Sequence, residues 1–187
     1  MIKSMKLKLS GGEFTIQRDV DFSVTSDSLA HLVYEKNGIW FVESDPCRGK
    51  YAKTAITLPY QYSFSNIIIE MTDGTLNVCE LDCDNIEFNI QKSVFTADMI
   101  KTQNLHIKSA NSTIYAHVNP HLTSIDCGFG SVILNLTPYK FGYKIKSKCG
   151  VGNVSLNSVI LPKNYISQNG ERRIDIICGM GDVNINV

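Results

Sequence analysis

The chain has 187 residues, of which 43% are hydrophobic and 19% charged, and these values are ordinary for one soluble globular domain. Its 18 basic residues balance its 18 acidic residues, so no net field favours nucleic acid or an anionic membrane surface. No apolar run approaches the roughly 20 residues that cross a membrane, and the first residues lack the apolar segment of a secretory signal. We therefore predict a soluble protein with no nucleic-acid partner and no membrane span, and we expect a cytoplasmic location.

Alternating apolar and polar residues predict strands in the N-terminal part of the chain, residues 1–58. The alternation is clearest over residues 5–16, where a period of 2 is typical of a half-buried strand. Asn37-Gly38 separates two further apolar stretches and predicts a tight hairpin turn. We interpret residues 1–58 as N-terminal strands and a cap region, and residues 59–187 as a regular repeat region of the same domain.

Three segments near the C-terminus share one pattern: CGFGSVIL at 127–134, CGVGNVSL at 149–156 and CGMGDVNI at 178–185. With each cysteine taken as an anchor, equivalent anchors lie upstream at Met71, Ile90 and Ser109. Most residues two and four before an anchor, and five and seven after it, are apolar, and the residue three after it is glycine or serine. The six copies are separated by 19, 19, 18, 22 and 29 residues.

Each copy is interpreted as a strand, a tight corner, a second strand and a polar return. A chain that turns in the same way every 18 to 22 residues stacks equivalent residues above one another. We therefore predict an all-β fold, specifically a β-solenoid: a right-handed single-stranded β-helix of about six to seven rungs, with N-terminal strands or a hairpin packed on it. One domain spans 1–187. The two longer spacings are interpreted as surface loops around 138–143 and 162–173.

The repeated glycines and cysteines have structural interpretations. Glycine allows a positive φ or a close approach between stacked turns, and the predicted corner residues are Gly74, Gly130, Gly152 and Gly181. Phosphate binding at a glycine pair would need a helix after the loop, whereas a strand is predicted after each pair. The predicted core ladder contains Cys127, Cys149 and Cys178, as reduced thiols or, alternatively, as ligands of a soft metal ion.

Two other groups of residues have metal-binding chemistry. Cys79 and Cys83 lie beside two aspartates, and His106, His117 and His121 are close in sequence. We interpret both groups as parts of return segments and solvated loops, because paired zinc-ligand spacing and a carboxylate partner for the histidines are missing from the sequence. We predict no metal site, no cofactor and no catalytic residue, and we expect a protein that is not an enzyme.

Aromatic residues are the candidates for a binding surface. Tyr139, Phe141 and Tyr143 alternate in the first enlarged loop, and Tyr165 lies in the second. Alternating aromatic rings can stack on sugars or on a protein partner, and the same rings can instead cover the flank of the predicted solenoid. Both interpretations stay open at the level of sequence.

Several segments together resemble a known family. The G-x-G-[DNS]-V-x-[IL] units, the opening GGEFTI strand and the TAITLPYQYSFSNIIIE segment are similar to a bacterial family of putative adhesins with repeated β-strands, a domain of unknown function. The resemblance covers residues 5–187. It implies a repetitive β-helical fold, a surface-binding role, no catalytic residues and, where the adhesin label holds, a location at the cell surface.

The functional expectation is a non-catalytic binding or structural protein, adhesin-like by resemblance, whose protein or carbohydrate ligand is unknown. An alternative is a cytoplasmic regulatory or assembly scaffold that binds a protein partner, for example in envelope-stress signalling. A carbohydrate-active enzyme would need clustered carboxylates on one outer face. The final strand, which contains Val183 and Ile185, has no predicted cap. We therefore predict a homo-oligomer formed through the exposed edge of this C-terminal rung.

Overall fold

The computed structural model describes residues 4–27, 31–44, 52–61, 63–167 and 169–187. These residues form seventeen strands and no helix, which confirms the predicted all-β class, and they contain no helix that could cross a membrane. The strands are β1 (Ser4–Leu9), β2 (Gly12–Asp19), β3 (Ser23–Ser26), β4 (His31–Lys36), β5 (Ile39–Ser44), β6 (Ala52–Pro59), β7 (Phe64–Met71), β8 (Gly74–Gln91), β9 (Ser93–Ala110), β10 (Ser112–Cys127), β11 (Gly130–Leu136), β12 (Tyr143–Cys149), β13 (Asn153–Leu156), β14 (Val159–Ile160), β15 (Asn164–Ile166), β16 (Arg172–Cys178) and β17 (Asp182–Asn186).

The strands stack as parallel levels, each made of one strand before a corner and one strand after it. From one end to the other, level 1 is β5 with β6, level 2 is β1 with β2, and level 3 is β7 with the first part of β8. Level 4 is the rest of β8 with the first part of β9, and level 5 is the rest of β9 with the first part of β10. Level 6 is the rest of β10 with β11, level 7 is β16 with β17, and level 8 is β12 with β13. Strands before the corners form the first side of the stack, and strands after them the second side. Segments that connect successive levels form the return side.

The order of the levels departs from the order of the chain at both ends. The strands β16 and β17, which come last in sequence, lie between β10–β11 and β12–β13. At the other end β1 and β2 lie between β5–β6 and β7–β8. The chain therefore skips a level after Leu136, builds level 8, and returns to fill level 7. This route explains the two longer repeat spacings, which sequence analysis attributed to surface loops.

Antiparallel strands cover both end levels. At level 1, β3 pairs with β6 and β4 pairs with β5. At level 8, β14 pairs with β13 and β15 pairs with β12. The prediction of a free edge at the C-terminal rung is therefore wrong, because β17 pairs with β11 on one side and β13 on the other. The basis for an oligomer formed through that edge is removed.

The core is a set of inward columns that run through the levels. Residues two and four before the anchors are buried, and so are those five and seven after them, except the half-buried Leu156. A further column was missed in the sequence: Leu81, Ile100 and Val118 are fully buried and pair with one another on the return side. The predicted polar return is wrong there, because β8, β9 and β10 continue as strands through it.

Backbone closeness at the corners restricts which side chains fit there. Gly130 has a φ of +102°, and Gly74 has a φ of +116°. Gly152 is limited by space instead, because a Cβ there would lie 1.7 Å from the carbonyl oxygen of Gly181. A Cβ on Gly181 would in turn lie 2.6 Å from the carbonyl oxygen of Gly130. Real side chains do not approach backbone atoms this closely, so levels 6, 7 and 8 must separate locally if either glycine is replaced.

We expect Gly152→Ala to lower the free energy of unfolding by about 3 kcal/mol, at the upper end of the cost of overpacking. The matched control is Gly128→Ala in the corner of level 6, where a Cβ would meet one carbonyl oxygen at an ordinary 3.6 Å. This control should change stability by no more than about 0.5 kcal/mol. Urea denaturation of the three proteins measures both values, and equal losses would contradict the role of close backbone approach.

Candidate functional site

The predicted aromatic surface lies between β11 and β12, where the chain skips a level. Tyr143 is 8% exposed and donates its hydroxyl to the Thr137 carbonyl at 2.6 Å, so its ring belongs to the interior. Tyr139 is half-buried, with its ring centroid 5.8 Å from that of Phe141, and Phe141 is 55% exposed. Tyr165 on β15 is half-buried against the core. A binding surface at this loop stays a prediction, and Phe141 offers it the largest free ring.

The three repeat cysteines occupy one inward column at levels 6, 7 and 8. In space their order is Cys127, Cys178 and Cys149, and all three are buried. The thiols of Cys178 and Cys149 donate to carbonyl oxygens of the following corners, each at 2.8 Å. Burial raises the pKa of Cys178 to about 12. In the described part of the chain, no group of three or more His, Cys, Asp or Glu residues is arranged to hold a metal ion.

The structure separates Cys79 from Cys83 and the three histidines from one another, although Cys83, its two neighbouring aspartates and His121 line one cleft. Cys79 is exposed, whereas Cys83 is buried and donates its thiol to the Asn85 carbonyl at 3.1 Å. Cys47 lies outside the described residues. The histidines are distributed over the three sides of the stack: His106 on the first side and His117 on the second. His121 lies on the return side, where it lines a cleft described below.

A groove of about 540 Å³ crosses the second side at levels 6 to 8, and sequence analysis did not predict it. Its floor is made of outward side chains from three neighbouring strands, and its wall is the β14 segment. The groove is lined, among others, by Ile133, Asn153, Ser155, Ile160, Asp182 and Asn184. Amide, hydroxyl and carboxylate groups therefore alternate there with two aliphatic side chains.

Cross-strand hydrogen bonds hold the polar groups of the groove in place. The Asp182 carboxylate accepts from the backbone N–H of Asn153 at 3.0 Å and from its side-chain amide at 3.3 Å. The Ser155 hydroxyl donates to the side-chain oxygen of Asn184. Both Asn184 and Asp182 line the groove, and each has further hydrogen-bonding capacity: the side-chain amide of Asn184 and the second carboxylate oxygen of Asp182. The floor is thus a preorganised set of donors and acceptors.

A tight hairpin places the wall of the groove. Asn157 and Ser158 have φ values of +48° and +67°, the left-handed conformation that a two-residue turn requires at both positions. This turn brings β14 back along β13, with Ser155 opposite Ile160. The sequence signal was the pair Asn157-Ser158 between Leu156 and Val159, which could have predicted the hairpin. The floor itself was not predictable from spacing, because it depends on β17 lying between β11 and β13.

An aromatic residue extends the same surface at level 5. Tyr115 is 43% exposed and lies directly opposite Ile133 in the pairing of β10 with β11. Its hydroxyl is 3.4 Å from Nε2 of His117, and the two rings are 5.6 Å apart. The second side therefore presents one aromatic face beside the polar groove. Sequence analysis did not select Tyr115, since it is a single aromatic residue in an alternating strand.

The buried thiol of Cys83 gives a measurable pH dependence. Its pKa is raised from 9.0 to about 12, chiefly by burial, and the nearby carboxylates of Asp84 and Asp82 contribute to this rise. Below about pH 9 the thiol is protonated in both folded and unfolded chains. Between about pH 9 and pH 12 the unfolded chain loses this proton and the folded chain keeps it, so the free energy of unfolding falls as pH rises.

We expect Cys83→Ala to reduce that fall by up to about 1.4 kcal/mol per pH unit in this window. Urea denaturation at about pH 8 and about pH 10 measures the difference. Cys79→Ala, which changes an exposed cysteine four residues away, is the control and should keep the wild-type difference. If Cys83→Ala lost as much unfolding free energy between the two pH values as the wild type does, the Cys83 thiol would not be the source of the pH dependence.

No known protein family matches the chain, and no curated protein is similar to it. Among solved structures, a putative cell adhesion protein from Clostridium sporogenes is similar with a TM-score of 0.48 and 18% identity, over 98% of this chain and 92% of that chain. A putative adhesin from Bacteroides fragilis is similar with a TM-score of 0.34 and 14% identity, over 99% of this chain and 92% of that one. These likenesses are too distant to assign a family.

Proposed function

We propose that the protein is a non-catalytic binding protein that recognises a neutral carbohydrate through the groove on the second side of the stack. We also propose that the stack of levels is a right-handed single-stranded β-solenoid. Parallel pairing of anchors at equal offsets supports that fold, for example Met71 with Ile90 and Ile90 with Ser109. The proposal also includes an adhesin-like role at the cell surface, as the family resemblance implies.

The chemistry of the groove is the observation that carries the proposal. A sugar ring offers hydroxyl groups that both donate and accept, together with apolar C–H faces. Asn184 and Asn153 supply amide donors and acceptors, and Asp182 supplies a carboxylate acceptor. Ile133 and Ile160 supply apolar surface between them. Pockets with a few fixed polar groups on an apolar background are typical of small-molecule recognition.

Tyr115 adds a stacking face to the same surface. Aromatic rings present a broad, weakly polar face that suits the C–H face of a sugar. The ring lies one level away from the floor of the groove, opposite Ile133. A ligand of more than one sugar unit could therefore contact the amides of levels 7 and 8 and the ring of level 5 together.

The carboxylate content of the groove supports binding over hydrolysis. Glycoside hydrolysis commonly uses two carboxyl groups flanking the bond that is broken. Among the described groove-lining residues the carboxylate is that of Asp182, and it accepts two hydrogen bonds from Asn153. An acceptor held in this way fits the recognition of hydroxyl groups. The proposal therefore assigns no catalytic role to this surface.

The test is a screen of neutral oligosaccharides, followed by calorimetry with the best binder. We expect Asn184→Ala to weaken that binding about tenfold, because a hydrogen-bonding amide is lost from a partly buried site. The matched control is Asn104→Ala on the first side, where Asn104 donates to Asn85 at 2.7 Å in a comparable cross-strand ladder. This control should bind as the wild type does.

Tyr115→Ala is a second variant for the same measurement. It should weaken the binding of oligosaccharides more than that of monosaccharides, because the Tyr115 ring lies at the far end of the site. The proposal would be refuted if the wild-type protein bound no neutral saccharide in the screen. Equal weakening by Asn184→Ala and Asn104→Ala would refute the assignment to the groove.

A further inference from the structure

An arginine on the return side is held rigidly without a carboxylate partner. The guanidinium carbon of Arg172 lies 3.9 Å from the centroid of the Tyr139 ring. Its Nη1 donates to the side-chain oxygen of Asn119 at 2.5 Å and lies 3.4 Å from the Tyr143 hydroxyl. Three neighbouring groups, all uncharged, therefore fix its orientation. The Nε group is buried and has no hydrogen-bond acceptor in the described part of the protein.

The neighbouring charged residues show that this arrangement is specific to Arg172. Arg173 forms an ion pair with Asp175 at 2.7 Å. The carboxylate of Glu171 accepts the hydroxyl of Tyr139 at 3.0 Å, which raises the pKa of that tyrosine. No carboxylate of the described residues lies within ion-pair distance of Arg172. A half-buried cation that is oriented but not neutralised is suited to receive an anionic group.

Arg172 opens onto a cleft of about 260 Å³ formed by three successive return segments. The other lining residues that bear on its chemistry are Asp82, Asp84, Lys101, Gln103 and His121. Lys101 is paired with Glu80 at 3.1 Å, so Arg172 is the cation of this cleft with no such partner. The cleft thus has a cationic end and two carboxylates that can accept hydroxyl groups.

We propose that this cleft binds an acidic saccharide, with Arg172 receiving the carboxylate of a uronic acid. A guanidinium forms charge-assisted hydrogen bonds with a carboxylate. Nε of Arg172 is buried and Nη1 donates to Asn119, so Nη2 is the group that would donate to the ligand. Asp82 and Asp84 repel any anion in the cleft, and they repel a doubly charged phosphate more strongly than a singly charged carboxylate. They also offer acceptors for the ring hydroxyls of a sugar. Phe141 lies beside Tyr139 and is 55% exposed, with the Lys140 ammonium 5.5 Å from the centroid of its ring.

This site is separate from the groove on the second side. The cleft is built from return segments of levels 3 to 6 and the start of β16, whereas the groove is built from β11, β13, β14 and β17. Neutral saccharides and uronic acids would therefore bind to different residues. Failure of either proposal leaves the other testable.

The experiment titrates glucuronic acid into the isotope-labelled 187-residue protein and follows the side-chain N–H signal of Arg172 by NMR. We expect saturable movement of that signal and no comparable movement with glucose, which lacks the carboxylate. Arg172→Gln should weaken the binding of glucuronic acid about tenfold or more, since a charge-assisted hydrogen bond is lost. Arg173→Gln, which removes the same charge one residue away, should bind as the wild type does.

Arg172 also supports the aromatic loop, so a second pair of measurements protects the test against misfolding. Arg172→Lys keeps the charge and loses the planar fork, and it should bind with intermediate affinity. Gln103→Ala leaves the contacts of Arg172 unchanged and should weaken glucuronic acid severalfold. Wild-type affinity in Arg172→Gln, or equal responses to glucose and glucuronic acid, would overturn the proposal, as would an unmoved Arg172 signal in the wild-type protein.

Discussion

The close approach of backbone between stacked corners is the constraint on which the other features depend. At the corners, Gly152, Gly181 and Gly130 place carbonyl groups where a Cβ would otherwise lie. This closeness keeps strands on both sides of the corner in hydrogen-bonding distance of the next level. Equivalent residues consequently face their counterparts, and inward positions join into continuous columns. The outer polar ladders, including the floor of the groove, are the outward half of the same arrangement.

The exchange of levels at both ends solves the problem of exposed edges in a parallel stack. A stack built in chain order would leave its first and last strands with unpaired backbone groups. In this chain, β1–β2 and β16–β17 are paired on both sides. The outermost levels are instead covered by antiparallel strands: β3 and β4, which precede β5–β6 in the chain, and β14 and β15, which follow β12–β13. The β13–β14 cover also forms the wall of the groove, so one hairpin serves both the end of the stack and the candidate site.

Sequence periodicity was sufficient to predict the strands and which of their residues face inward. It was insufficient to predict the order in which the levels stack. Alternation identified buried residues such as Ile86, Phe88 and Ile107, because a strand places every second side chain on one face. Spacing alone could not show that Cys178 lies between Cys127 and Cys149. A long connection is compatible both with a loop and with a skipped level. Arg172 was not selected from the sequence, since its partners Asn119 and Tyr139 are distant in sequence.

The composition of the inward columns indicates that stability is uneven along the stack. Level 4 contains large apolar groups, with the rings of Phe88 and Phe95 4.5 Å apart. Further along, Ser109, Thr123 and Ser147 bury hydroxyl groups that have no partner in the described residues. Each such group costs about 1 to 3 kcal/mol relative to a satisfied one. The later levels are therefore the less stable half, and the groove lies there. Binding surfaces are commonly drawn from regions of lower local stability, where small adjustments to a ligand cost least.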